Sequence, residues 1–127
     1  MTTAAEVLVS THSVLLIDYP GRAVPEAFAR AGYETSTHEG PGEDEYYSYA
    51  AEGGEVVRSH VGKPPAHVDL VYTYRPVDEL PAIVALAVDL GARAVWFGEA
   101  DPDLAREIVE SAGLLFVGET DVVSALG

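Results

Sequence analysis

Val68-Asp69-Leu70-Val71-Tyr72-Thr73-Tyr74-Arg75-Pro76-Val77-Asp78-Glu79-Leu80-Pro81-Ala82-Ile83-Val84, followed by Leu90-Gly91-Ala92-Arg93-Ala94-Val95-Trp96-Phe97, reads as strand, helix and strand. Residues 68–74 form the first strand. Leu80, Ile83, Val84 and Ala87 then fall at helical spacing and stop at Gly91, a residue suited to the left-handed position that closes a helix. Asp78 is expected to cap the start of this helix, and Pro81 is tolerated in its first turn.

The same unit recurs on both sides. Val24, Ala27, Phe28 and Ala31 run to Gly32 before a strand over residues 33–37, and Pro25 suits a helix start. Leu104, Ala105, Ile108, Val109 and Ala112 run to Gly113 before Leu114-Leu115-Phe116-Val117. That helix is expected to be capped by Asp101, with Pro102 at its first position. A strand at residues 13–18 leads the set. Val14-Leu15-Leu16-Ile17 lacks polar alternation, as does 114–117, which predicts strands buried on both faces. Strands alternating with helices give right-handed crossovers and an open parallel sheet. Short helices are expected over 3–9 and 121–126. Residues 39–55 break the pattern with Gly40-Pro41-Gly42, Glu43-Asp44-Glu45, Tyr46-Tyr47-Ser48-Tyr49 and Gly53-Gly54. This stretch is expected to be an excursion with one helical turn near 46–52, ahead of an edge strand near Val56-Val57-Arg58.

A chain of 127 residues predicts one domain, 1–127. It has no cysteine, which excludes disulfides and thiolate chemistry, and no basic leader or long apolar run. A soluble cytoplasmic protein is the expectation. Seven Lys and Arg against a net charge of −14 exclude a basic stripe for nucleic acid and disfavour anionic membranes.

The stretch 66–117 resembles the single-domain CoA-binding family. There a V-D-L-V strand runs into an aromatic, a basic residue and Pro or Glu, and a helix and a G-A-[KR]-x-V-W strand follow. Ser111-Ala112-Gly113-Leu114 is similar to the family's A-A-G-L step. The resemblance implies an α/β, three-layer Rossmann-like domain. Its open parallel sheet would have about five strands in the order 3-2-1-4-5, with helices on both faces. The implied ligand, CoA, an acyl-CoA or an adenine nucleotide, would lie across the strand tips at the switch point. By position, the site would draw on loops 18–22, 38–42, 73–76 and 96–101, hence on Asp18, Tyr19, Pro20, Gly21, Arg22, His38, Gly40, Thr73, Tyr74, Arg75 and Pro76. Three places depart from the family pattern. Asp18-Tyr19-Pro20-Gly21-Arg22 stands where a G-A-S-x-x-P loop is expected, so a carboxylate replaces a bare backbone and Pro20 has no N–H to donate. His38-Glu39-Gly40-Pro41 stands in place of Asn-Pro, and Gly98-Glu99 lies near the expected Gln.

Other chemistry finds little support. Asp18 lacks the second Asp two residues on that a dehalogenase-type phosphatase needs, and Lys63, the sole lysine, sits in a Pro-rich loop. His12, His38, His60 and His67 form no H-x-x-x-H or H-x-H pair. There is no G-x-S-x-G elbow, G-x-G-x-x-G loop or Walker lysine. Arg75 offers a planar donor fork for phosphate or carboxylate, or else pairs with a nearby acid. Trp96 reads as core. The expectation is a non-catalytic CoA or nucleotide module, with a homodimer compatible. The alternative is an interaction or scaffolding subunit using the acidic loop 39–55.

Overall fold

The computed structural model describes residues 3–40, 42–98, 102–118 and 121–126. In chain order the elements are α1 (Ala4–Val9), β1 (Ser13–Ile17), α2 (Ala23–Arg30), β2 (Glu34–His38), β3 (Tyr46–Glu52), β4 (Glu55–His60) and β5 (Leu70–Thr73). A 3-10 turn (Val77–Glu79), α3 (Leu80–Asp89), β6 (Ala94–Phe97), α4 (Pro102–Ser111), β7 (Leu115–Gly118) and α5 (Val122–Leu126) complete the chain. The strands form one sheet in the order β4-β3-β2-β1-β5-β6-β7. From β2 to β7 the pairing is parallel, and β3 and β4 add antiparallel to the β2 edge.

Every residue of β1 is buried, as its apolar run without alternation requires, and so is every residue of β5 and β6. The 114–117 run, also expected to be buried on both faces, instead gives the edge strand β7, with Leu115 41% exposed. Side chains alternate between two cores. Leu15, Ile17, Val71, Val95 and Phe97 face α3 and α4. Val14, Leu16, Leu70, Tyr72 and Trp96 face α1, α2 and α5. The three-layer Rossmann-like expectation holds, and Trp96 is core with no exposed surface.

The helices end as the glycines predict. After α2, Tyr33 N–H donates to Phe28 O and Gly32 N–H to Ala29 O, with Gly32 at φ +93°. This Schellman closure repeats at Gly91 after α3 and at Gly113 after α4. Helix starts agree less well. Asp78 falls inside the 3-10 turn, which hands over to α3 at Leu80 without a side-chain cap, so Asp78 is not an N-cap. Asp101 lies outside the described residues, as do Pro41 and the end of the 96–101 loop. In α4, Ala105 and Val109 carry the buried face, whereas Leu104 is 46% exposed.

Among the described residues the sheet has seven strands rather than five, and the difference lies in residues 39–60. Residues 46–52 form strand β3, not a helical turn. Tyr46 and Tyr49 are buried, and aromatic residues favour a half-buried pleat. Gly53 and Gly54, at φ +58° and +87°, make a two-residue reversal into β4. The place of the expected parallel third strand is therefore held by β3, running antiparallel, because loop 39–45 has no crossover helix. The edge strand near 56–58 is β4, as expected.

Residues 61–69 then return from the sheet edge past β3, β2 and β1 to β5 without a helix. On that face α3 and α4 cover the β5 side of the sheet. A hollow is left beside α3, above the tips of β1 and β2.

Asp69 secures the opposite end of the sheet. Its carboxylate accepts from the His12 N–H at 2.8 Å, the Ser13 N–H at 3.3 Å and His67 Nε2 at 3.0 Å, tying the entry of β1 to β5. Burial works to raise this carboxyl, but the hydrogen bonds from His12, His67 and Ser13 outweigh it and hold it below the usual carboxylate range. A depressed carboxyl stabilises the fold fully above the unfolded-state value near ~3.9, and that contribution is lost as pH falls through the lower folded value. Asp69→Ala is expected to cost about 1–3 kcal/mol at neutral pH, measured by urea unfolding, with a smaller difference from the parent at acid pH.

Candidate functional site

The chain leaves β1 through α2, which packs on one face, and leaves β5 through α3, on the other. The tips of β1 and β5 part there, the topological switch point where open α/β sheets bind ligands. A cleft of about 850 Å³ opens at this point. Ile17, Ala82, Ile83 and Leu86 form its apolar wall, and Asp18, His38, Glu39, Arg75 and Glu79 its polar one, with Tyr19 and Gly40 completing the lining.

Asp18 follows β1 at φ +62°, the one non-glycine residue with positive φ among the described residues. A short polar side chain tolerates this left-handed backbone better than a branched one. Its Oδ1 accepts from the Tyr19 N–H at 2.9 Å and its Oδ2 from Arg75 Nη1 at 3.2 Å. Arg75 also grips Glu79, donating from Nη2 to Oε2 at 2.7 Å and from Nε to both oxygens at 3.2 Å. Of the two readings of Arg75, pairing with acids is the one realised. Glu79 foremost, then Asp18, hold the guanidinium firmly charged, and Arg75 in turn keeps the Glu79 carboxyl below the usual range. The Arg75 N–H donates to Thr73 Oγ1 at 3.1 Å, which fixes the turn.

The other wall is built from β2. His38 stacks on Tyr46, with ring centroids 4.4 Å apart at 14°, and its Nε2 bonds the Gly42 carbonyl at 3.0 Å. Glu39 accepts from Thr37 Oγ1 at 2.6 Å, Tyr49 Oη at 3.2 Å and Arg58 Nη2 at 2.8 Å. Burial pushes the Glu39 carboxyl up, but Arg58 and Thr37 outweigh it and the net displacement is downward. Arg58 also lies over the Tyr47 ring at 3.7 Å. The Tyr19 hydroxyl meets that of Tyr49 at 3.1 Å, and burial, then Tyr49, push the Tyr19 phenol up.

Of the residues singled out from the sequence, Asp18, Tyr19, His38, Gly40 and Arg75 line the cleft. Thr73 is buried beneath it as a hydrogen-bond acceptor. Pro20, Gly21 and Arg22 lie just outside on the exposed approach to α2, and the Arg22 side chain makes no ion pair among the described residues. Pro76 is exposed, and Tyr74 packs against the α2-side core instead. Sequence reading missed Ile17, Glu79, Ala82, Ile83 and Leu86. A signal existed for Glu79, which stands four residues after Arg75 in what becomes a helical turn. No group of three or more His, Asp or Glu side chains gathers as a metal cage among the described residues.

The family model for the CoA binding domain matches residues 19–121. The chain belongs to the CoA binding domain family. Three solved structures share the fold of this family member. Prb, a PH1109 protein redesigned for binding, has 20% identity and TM-score 0.69, covering 94% of this chain and 84% of that one. A conserved hypothetical protein from Pyrococcus furiosus has 16% identity and TM-score 0.61, covering 90% and 98%. A protein of unknown function from Methanothermobacter thermautotrophicus has 11% identity and TM-score 0.53, covering 91% and 84%. No curated protein matches the chain. Among the described residues no helix is long and apolar enough to cross a membrane.

The left-handed Asp18 after β1 yields a stability test. Asp18→Gly removes a half-exposed ion pair, weak because water screens it, and relieves a backbone cost of about 1 kcal/mol. Its melting temperature is expected within about 4 °C of the parent, whereas Asp18→Val, branched in the same conformation, melts clearly lower by calorimetry.

Proposed function

We propose that the chain is a non-catalytic module that binds CoA or an adenine nucleotide weakly, in the cleft at the parting of β1 and β5. The observation that carries this reading is one cleft, at the position the fold uses for ligands, in a member of the CoA binding domain family. Its apolar wall of Ile17, Ala82, Ile83 and Leu86 suits an acyl or pantetheine arm, and Arg75 suits the anionic end.

The non-catalytic part rests on how the acids of the cleft are engaged. Glu39 is held by Arg58 and Thr37, Glu79 by Arg75, and Asp18 by Arg75 and the Tyr19 N–H, so none of the three stands as a free base beside a nucleophile. Titration calorimetry with CoA, acetyl-CoA and ADP is expected to give dissociation constants in the high micromolar to millimolar range, weakened at least fivefold in Ile83→Asp. Absence of heat and of thermal shift at millimolar ligand rejects the reading.

A second reading, an interaction subunit, draws on the hairpin that the stretch 39–55 helps to form. β4 is the outer strand of the sheet, and of its six residues all but Val56 are exposed, which leaves an edge able to pair with another strand. Sedimentation over a hundredfold concentration range is expected to show self-association that Val57→Pro removes. A monomer throughout counts against this reading.

A further inference from the structure

Arg75 is the cation of the cleft wall, and its guanidinium is already committed. Four of its hydrogen bonds run to carboxylates, three to Glu79 and one to Asp18. Asp18 comes from the tip of β1 and Glu79 from the turn that follows β5 and starts α3, so the clamp spans the parting of β1 and β5 that creates the crevice. The α2 start lies immediately beyond, where the Gly21 position is open and nothing lies within 4 Å of a Cβ built there. An anionic group entering between α2 and Arg75 would face the Asp18 carboxylate directly, with Glu39 across the cleft.

From this we infer that Asp18 and Glu79 are built-in competitors for Arg75, an ionic latch that an anionic ligand must displace, with Asp18 the residue that sets how tightly such a ligand is held. The inference rests on the binding site proposed above and names what limits its affinity. Two features single out Asp18. It holds a left-handed backbone, a conformation a glycine would take without strain, so the carboxylate is kept there at a conformational cost. Its Oδ1 is anchored by the Tyr19 N–H, which leaves Oδ2 aimed at Arg75 instead of free to swing into solvent. Side chains of Arg75, Asp18 and Glu79 are 42%, 46% and 46% exposed, so the latch is screened by water and salt and can be opened.

The test is titration calorimetry of inorganic pyrophosphate and of CoA, at low ionic strength, into the parent chain, Asp18→Asn, Glu79→Gln, Arg75→Ala and Asp18→Asn/Arg75→Ala. Asn keeps the size, the anchor to Tyr19 and the tolerance of left-handed backbone, and thermal melts confirm that each variant is folded. Asp18→Asn is expected to bind both probes about tenfold tighter than the parent, Glu79→Gln by a smaller factor. Adding Arg75→Ala removes the gain, and 0.5 M NaCl shrinks it. A folded Asp18→Asn that binds CoA no tighter than the parent overturns the latch while leaving CoA binding intact. A gain that survives Arg75→Ala overturns it as well, because the carboxylate would then not act through Arg75. Failure of parent and variants alike to bind either probe overturns both the latch and the binding site.

Discussion

β1 is buried over its whole length between parallel neighbours, and the chain leaves it toward one face while leaving β5 toward the other. That divergence is the constraint from which the rest follows. Two parallel strands whose crossovers go to opposite faces cannot both be covered at their carboxyl tips, so a crevice opens between them. In this chain the crevice extends along α3, on the side where the 61–69 return carries no helix. The apolar wall of α3 is thereby left beside the polar ends of β1 and β2. Fold and site are one consequence of topology, and only the residues at the tips decide what enters.

Much of this was legible in the sequence. The unalternating apolar run at 14–17, the strands at 68–74 and 94–97 and the glycines that close α2, α3 and α4 point to a parallel α/β sheet because backbone burial and helix closure are local properties. The same locality explains what was misread. Residues 46–52 were expected to hold a helical turn inside a stretch, 39–55, that shows turn residues and no clear period. β3 became a strand through pairing with β2 and through the Gly53-Gly54 reversal, a non-local ladder that periodicity does not report. Asp78 carried a cap signal that the 3-10 turn made unnecessary.

The site was legible in part for a similar reason. Asp18, Tyr19, His38, Gly40 and Arg75 sit at strand ends, so a fold expectation alone brings them together. The Glu79 partner of Arg75 stands four residues on, within reach of a spacing rule, but that Arg75 also holds Asp18 depends on side-chain geometry across 57 positions, which no such rule supplies. Glu39 shows the same limit. Beside His38 in sequence, it turns to Thr37, Tyr49 and Arg58, and so braces the β2–β4 edge. Asp69 belongs to the stretch that carries the family resemblance, yet its carboxylate secures the far end of β1.

The most direct measurement is amide chemical-shift mapping of the isotopically labelled chain during addition of CoA. The account predicts shifts gathered at residues 18–23, 38–40 and 73–79, the tips of β1, β2 and β5, with His12 and Asp69 at the opposite end unmoved. Shifts centred on the β4 edge or on the His12–Asp69 end, or none at saturating ligand, would contradict it.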